Sequence, residues 1–324
     1  MNTIKIEGVG YALGDLSVDN KMFESILDTN DEWITSRTGI SKRTISTKKN
    51  TSDLAVEAAL MALNDAQCFS KDIDAIIVAT MTPDFITPAT APLVQEKLNM
   101  NDQRCVAFDV NGACSGFVYA LQIAASMIKA KQSNRVLVIG AETFSKIMDY
   151  NDRSTSVLFG DGAGAVVVSK GDEENTMHFY TQSKGDTDQQ LFVKGLDLRD
   201  GLKNKNQQVG YLQMKGLDVF RFASFAIVDA IDEIVNKANI KHTDIDLIIP
   251  HQANIRIIQH ASKQLNIPMN VFYTNLDEVG NTSAASIPLA LAQAKEKGLL
   301  KDKKHIVLVG FGAGLTWGAV HVGL

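Results

Sequence analysis

Disulfide scaffolding is the first architecture the sequence excludes. Only three cysteines occur in 324 residues, too few for a cross-linked framework, and the odd count leaves at least one thiol free. A reducing compartment, the cytoplasm, is the expectation. Basic charge is also in short supply, with 32 Lys and Arg against 37 Asp and Glu for a net charge of −5. That argues against a nucleic-acid partner, although a local basic patch can exist within an acidic total. Long apolar runs are missing as well. The stretch from Ile306 to Leu324 carries no Asp, Glu, Lys or Arg, but glycines at 310, 312, 314, 318 and 323 interrupt it. It reads as two buried strands, IVLV and TWGAVHV, joined by a Gly-rich turn, and not as a membrane span. Residues 1–15 lack the basic start and apolar stretch of a secretory signal, so no export and no membrane association are expected.

What is present is core. With 45% hydrophobic and 21% charged residues, the chain can bury enough surface to fold, and disorder is excluded as its main state. Its length suggests two domains of about 150 residues each, or one unit used twice. The second reading is favoured by an internal repeat. Asp72 to Ile77 reads DIDAII and Asp244 to Ile249 reads DIDLII, an offset of 172; RVLVIG from Arg135 and HIVLVG from His305 are offset by 170. Each DID strand follows a predicted helix, Ser52 to Ala66 or Gly216 to Ala238. Between the paired strands each half carries a further strand and helix: CVAFDV then Ser115 to Lys131, and NVFYTN then Ala284 to Lys297. Strands apolar on both faces call for helix-covered sheets, an α/β architecture. The polar stretch Gly185 to Gln213 is the best candidate for an excursion between the halves.

Reactive side chains in such folds collect where strand C-termini meet. Cys68 and Cys105 lie at a helix end and a strand start, where a cysteine is normally a small buried hydrophobe. Cys114 instead follows CVAFDV through Asn111, Gly112 and Ala113, and opens the helix SGFVYALQIAA. Its sulfur is thereby expected at a helix N-terminus, which favours the thiolate and makes Cys114 the candidate nucleophile. Gly112 and Gly116 would allow another segment close approach. His251 ends the strand IDLIIP, in register by the same offset of 172 with Ala79 at the end of the matching strand, and can serve as donor or base. Asn281, in the turn before the second half's helix, stands roughly where Cys114 does in the first, as a plausible amide donor. A Cys, His and Asn together support either hydrolysis by a Cys-His pair or acyl transfer followed by decarboxylative carbon-carbon bond formation.

Four motifs then carry a resemblance: NGACSGF around Cys114, HQANIRI from His251, GNTSAASIPLAL around Asn281 and GFGAGLTWG from Gly310, together with DTNDEWITSRTGI from Asp28 and NDRSTSVLFGDGAGA from Asn151. They resemble the beta-ketoacyl-acyl-carrier-protein synthase III family of thiolase-fold condensing enzymes, over the chain from about residue 4 onward. The resemblance implies a thiolase-like α/β fold of two similar halves, 1–172 carrying the cysteine and 173–324 carrying His and Asn, in a layered helix-sheet-helix-sheet-helix arrangement. It implies that Cys114 takes an acyl group from a short acyl-CoA and that His251 and Asn281 promote decarboxylation of malonyl-acyl-carrier-protein. The backbone N–H groups of Cys114 and Ala313 would form the oxyanion hole. Trp33 and Arg153 would flank the CoA adenine, Arg37 would meet its phosphates, and Thr29, Gly216 and Asn254 would line the pantetheine tunnel. Phe85, Phe144 and Phe159 would fall at the acyl pocket and dimer contact, with core packing an equal reading for them. Arg256 and Lys263, on one helix face with His260 at i, i+4, i+7, and Arg221 from another helix, would dock the acidic carrier protein. No resident cofactor and no metal are implied, and a homodimer is.

Neighbouring families need other residues. A biosynthetic thiolase has a second cysteine near the C-terminus, but GFGAGLTWG has none; hydroxymethylglutaryl-CoA synthases carry an acid where this chain has ATMTPD (Ala79 to Asp84); elongating synthases place a histidine where Asn281 stands. A starter-unit ketosynthase of a polyketide-type pathway and a Cys-dependent thioesterase remain alternatives. A nucleotide-binding protein is suggested only by GDGAGAVVV, whose glycines lead into a strand instead of opening a helix.

Overall fold

A computed structural model describes residues 3–173, 175–198, 202 and 208–323. Two sheets organise the chain. In the first, strand Ala75–Ala79 runs parallel to Val106–Val110 on one side and Arg135–Glu142 on the other, and Gly162–Lys170 and Ile4–Leu13 complete it antiparallel. In the second, Leu247–Pro250 runs parallel to His305–Gly312, followed antiparallel by Thr316–Gly323 and Met177–Ser183. The registers repeat as the sequence offsets require: Ala79 pairs with Gly140, and Pro250 with Val309, one residue before the His251 and Gly310 counterparts. His305–Gly312 and Thr316–Gly323 are the expected pair of strands, on either side of the turn at 313–315.

Alternation along each strand builds the layers. Ile77 and Val138 of the first sheet, and Ile249, Leu308 and Val320 of the second, point inward onto helices Gly116–Lys129 and Ser286–Glu296, which lie between the sheets. Ile76, Leu137 and Val167 point outward onto the alanine face of helix Thr51–Asp65, and Val307, Val309 and Ala319 onto helices Gly216–Ala238 and Ile255–Leu265. The result is helix, sheet, helix, sheet, helix. Ile76, Ile77, Leu137 and Leu308 are wholly inaccessible, each stabilising the fold by about 1.5–3 kcal/mol relative to exposure. The alanine face of Thr51–Asp65 is matched by glycine: a Cβ at Gly10 would stand 2.3 Å from the Ala58 carbonyl oxygen.

One predicted strand is absent. NVFYTN contributes only a parallel bridge between Phe272 and Ile248, following a 3-10 turn over Met269–Val271. The Gln252 amide takes over from the ladder: its Nε2 donates to the carbonyls of Pro250 (2.7 Å) and Tyr273 (3.2 Å), and its Oε1 accepts from the Asn275 N–H (3.1 Å). A buried side chain thus satisfies backbone groups that a continued strand would have paired. Within the polar excursion, Leu191–Val193 and Leu212–Met214 pair antiparallel; residues 199–201 and 203–207 lie outside the described residues.

Candidate active site

The nucleophile sits on a sharp elbow. Strand Val106–Val110 ends at Asn111, whose Oδ1 accepts the Ala113 N–H (3.3 Å). Ala113 takes a left-handed φ of +46°, and Cys114 enters a 3-10 turn that runs into helix Gly116–Lys129. A non-glycine residue in that region is strained. The second half builds the same elbow at the repeat offset of 170: Asn281 Oδ1 accepts the Ser283 N–H (2.9 Å), Ser283 has φ +49°, and helix Ser286–Glu296 follows. The counterpart of Asn281 is therefore Asn111, and that of Cys114 is Ala284, three positions away from the rough equivalence the sequence suggested. With Oδ1 held by Ser283, the Asn281 NH₂ group is left to donate.

The two elbows face each other. A Cβ at Gly140 would lie 2.2 Å from the Ala284 carbonyl oxygen, and one at Gly312 would lie 2.8 Å from Cys114 Cβ, so glycine is needed where each strand end meets the other half's elbow. Gly112 and Gly116 pack on one another, a Cβ at Gly112 standing 2.9 Å from Gly116 Cα. Cys114, His251 and Asn281 line one cavity of about 110 Å³, with Phe311 and Ala313 in its wall and Gly216 and Asn254 also contributing. Behind Cys114 lies a smaller space of about 10 Å³, walled by Met81, Phe144, Phe159, Leu191, Leu212 and Ala313. Phe144 and Phe159 stack at 4.6 Å and 6°. Phe85 is 57% exposed and forms no part of either wall.

Burial dominates the electrostatics. It pushes the Cys114 thiol up to about 12, against which the Ser283 hydrogen bond acts downward and the Glu142 charge upward. The helix terminus does not leave a resting thiolate, contrary to the expectation from sequence. The thiol donates to Ser283 Oγ at 3.3 Å. His251, closing strand Leu247–Pro250 with its N–H on the Val309 carbonyl (2.7 Å), is pulled by burial down to about 3 and is neutral. Its Nδ1 meets Ser286 Oγ at 2.6 Å, and that hydroxyl lies 2.6 Å from the Ser283 carbonyl. One hydroxyl proton serves two acceptors. Turned to the carbonyl, Ser286 accepts from Nδ1–H; turned to Nδ1, it fixes the tautomer that carries its proton on Nε2.

Four functional neighbours escaped the sequence reading: Glu142, Gln252, Ser283 and Ser286. Glu142 ends strand Arg135–Glu142, wholly buried, and accepts from the N–H groups of Met81 and Thr82 and the hydroxyls of Thr80 and Thr82. The serines stood in GNTSAAS, and the repeat offset of 170 from Ala113 would have singled out Ser283.

Toward the surface, Asn254 Nδ2 donates to the Arg37 carbonyl (3.0 Å), tying the cavity to helix Asp31–Thr38. Arg153 lies on the Trp33 ring at 4.6 Å and donates to the Asp28 carbonyl. Trp33 and Arg153 are thus brought together in direct contact, and a purine inserted between them would have to part them. Thr29, whose Oγ1 is buried without a partner, and the exposed Arg37 adjoin this region but not the cavity wall. Arg256 and Lys263 are exposed on helix Ile255–Leu265. Arg221 is exposed on the neighbouring helix, 3.6 Å from Asp218, and shares a groove with His260. Among the described residues no helix is long and apolar enough to cross a membrane. The GDGAGAVVV glycines lead into strand Gly162–Lys170, with no helix opening there.

Comparison with known proteins identifies the family. Residues 108–185 match the model of 3-oxoacyl-[acyl-carrier-protein (ACP)] synthase III, and residues 235–324 that of its C-terminal region. The beta-ketoacyl-[acyl-carrier-protein] synthase III of Clostridium perfringens is 46% identical across 100% of both chains. The crystal structure of 3-oxoacyl-[acyl-carrier-protein] synthase III from Aquifex aeolicus superposes with a TM-score of 0.91 at 41% identity, covering 99% of this chain and 100% of that one. The priming beta-ketosynthase of the R1128 polyketide biosynthetic pathway reaches 0.91 at 32% identity, over 100% and 96%. By fold and by identity along its full length, the chain belongs to the 3-oxoacyl-[acyl-carrier-protein] synthase III family of thiolase-fold acyltransferases.

Proposed function

We propose that the chain initiates fatty acid synthesis by a decarboxylating Claisen condensation, joining a short acyl-CoA to malonyl-acyl-carrier-protein. The observation that carries this is the convergence of Cys114, His251 and Asn281 on one cavity. Cys114 sulfur attacks the acyl-CoA thioester and expels CoA thiolate, leaving an acyl-enzyme. The oxyanion is held by the backbone N–H groups of Cys114 and Ala313. Malonyl-carrier-protein then loses carbon dioxide, and the electron pair of that bond becomes an enolate. The Asn281 NH₂ and a neutral His251, with Ser286 turned to Nδ1 so that Nε2 carries the proton, donate to the enolate oxygen. The enolate carbon attacks the acyl group and frees Cys114. Neutrality suits His251: a donor in a dry site stabilises developing charge without having to be ionised.

The space of about 10 Å³ behind Cys114 is near the minimum for one water-sized group, which favours an acetyl methyl over longer primers. Trp33, Arg153, Arg37 and Thr29 hold the nucleotide end of CoA, with Gly216 and Asn254 along the pantetheine, and Arg221, Arg256 and Lys263 receive the acidic carrier protein. CoA is substrate here, and no resident cofactor is invoked. The halves 1–172 and 173–324 form one cytoplasmic protomer of a homodimer. Support for the dimer comes from the sheet edge: strand Val106–Val110 ends the first sheet, with Val106 49% exposed, an edge that pairing with a second copy would cover.

Intact-protein mass tests the reading. Acetyl-CoA should add an acetyl group at Cys114, and malonyl-carrier-protein should then discharge it with release of carbon dioxide and a 3-oxoacyl product. Absence of any adduct defeats the proposal, and an adduct that only hydrolyses favours a thioesterase.

A further inference from the structure

A buried carboxylic acid stands behind the nucleophile with no part in the condensation just described. Glu142 is 0% exposed, an expensive place for a carboxylate. Four donors crowd its Oε2, whereas Oε1 receives only the Met81 N–H at 3.3 Å, so lone pairs remain on Oε1. Ser283 bridges the acid and the thiol. Its Oγ accepts from Cys114 Sγ at 3.3 Å and its hydroxyl donates to Met81 Sδ at 3.9 Å, a weak bond that leaves the hydroxyl available to the neighbouring Glu142, whose acidity Ser283 increases. The strained φ of +49° at Ser283 holds that hydroxyl at the junction, in the position its repeat counterpart Ala113 leaves without a polar group.

We propose that Ser283 and Glu142 form a proton relay for Cys114. As sulfur attacks the acyl thioester, the thiol proton passes to Ser283 Oγ and the Ser283 hydroxyl proton passes to Glu142, leaving a neutral acid beside a neutral acyl-enzyme. CoA departs as thiolate and takes a proton from water. When condensation frees Cys114 as thiolate, Glu142 returns its proton through Ser283. One cycle consumes one solvent proton, as acyl-CoA plus a malonyl carboxylate giving free CoA and carbon dioxide requires. In this scheme Ser283 touches the reacting sulfur, and Glu142 acts through it.

His251 is the competing acceptor, and affinity decides against it. Burial pushes Glu142 up to about 7 and pulls His251 down to about 3, so the carboxylate holds a proton more readily than the imidazole. The thiol also points to Ser283. The titratable groups facing the pair are Cys114, His251 across the cavity, and Lys146, whose charge is shared with Asp84 at 4.0 Å and with Asp161. The assignment rests on Cys114 being the acyl-bearing nucleophile.

The test is the rate of iodoacetamide alkylation at Cys114 from pH 5 to 9, followed by peptide mass, which requires neither substrate. In the wild type the rate should rise through an inflection near neutral pH. Glu142→Gln separates two roles by sign. Glu142 as a mere buried charge raises the thiol's pKa, so neutralising it would speed alkylation; a relay predicts a rate at pH 8 at least about tenfold lower and loss of the neutral inflection. Ser283→Ala should slow alkylation similarly, and adding Glu142→Gln to it should change nothing further. An equal or faster rate in Glu142→Gln overturns the relay. Should that variant fail to fold in a thermal melt, Glu142→Asp replaces it, keeping the charge but withdrawing it from Ser283; the same slowing is expected, and an unchanged rate refutes. Acetyl-CoA loading is then measured on the same proteins. Alkylation that obeys the relay alongside absent loading would refute the proposed function and leave the relay standing.

Discussion

Primer length should be controlled by a single aromatic ring. Phe144 is 1% exposed, stacks on Phe159 at 4.6 Å, and walls a space of about 10 Å³ behind the cysteine. Phe144→Ala removes the ring from that wall and should cost about 3–5 kcal/mol of stability, the usual range for a buried phenylalanine. The vacated volume adjoins the place an acyl chain would occupy. Each methylene that moves into it from water contributes about 0.8 kcal/mol, so the two further carbons of a butyryl group should gain about 1.6 kcal/mol, roughly fifteenfold in loading preference. The assay is competition: acetyl-, butyryl- and hexanoyl-CoA offered together at equal concentration, with acyl-enzyme mass reporting the choice. The wild type should load acetyl predominantly and Phe144→Ala should reverse the order. Filling also restores packing, so the melting temperature of the acylated variant should climb with chain length while that of the acylated wild type does not. An unchanged preference in a folded variant would refute the assignment of the small space as the acyl pocket.

Ser286→Ala removes the hydroxyl that sets the His251 tautomer (2.6 Å from Nδ1); acetyl adduct should still form while condensation falls about ten- to hundredfold, read as carbon dioxide release per adduct, and equal losses in both steps would contradict the role. Gly312→Ala places a Cβ 2.8 Å from Cys114 Cβ, so acetyl loading should drop with overall fold retained, as followed by mass and circular dichroism. His251 adds a pH dependence to stability. Its folded pKa of about 3 lies below the reference 6.5, so the unfolded chain binds the extra proton, and stability present above pH 6.5 is lost as pH falls toward 3. Between pH 6.5 and 4.5 this amounts to at most about 3 kcal/mol, and the acid loss in denaturant titrations should shrink in His251→Asn. Glu142 has the opposite sign, since its raised pKa of about 7 gives stability that is present below pH 4.5 and lost as pH rises to 7, so Glu142→Gln should remove that decline between pH 4.5 and 7.

How far the site was legible in the sequence follows from what its parts depend on. Cys114, His251 and Asn281 terminate elements whose periodicity is strong, and the offsets of 170 and 172 align those ends before any contact is known. The missing strand at NVFYTN depended on Gln252, a side chain well upstream in sequence whose amide satisfies the Pro250, Tyr273 and Asn275 backbone groups; no local propensity encodes that. The thiolate expectation failed for a related reason. A helix terminus is visible in the order of residues, but the desolvation that pushes Cys114 up to about 12 arises where both halves close over it, and burial of that depth belongs to the packed pair of elbows. Phe85 illustrates a third limit, since its ring is 57% exposed and walls neither space around Cys114, a placement that the order of residues does not encode.

The duplication also explains why the nucleophile and its surroundings can differ so much on one scaffold. Both elbows repeat the same backbone: an Asn that caps the residue two ahead, a left-handed non-glycine, then a helix start. On that common frame one copy has Ala113 before Cys114, and the other has Ser283 before Ala284. Each elbow carries one polar reactive group, shifted by a single residue, so that across the junction thiol and hydroxyl meet at 3.3 Å where a strict repeat would set like against like. Exchanging them tests whether that offset matters. With Ala113→Ser and Ser283→Ala combined, the hydroxyl moves to the nucleophile's own elbow, beside the sulfur in sequence but off the face that meets Glu142. If the junction and not the mere presence of a serine supports the chemistry, the double variant should load acetyl no faster than Ser283→Ala alone. Recovery to the wild-type rate would show that any nearby hydroxyl suffices and would remove the reason for reading function into the offset.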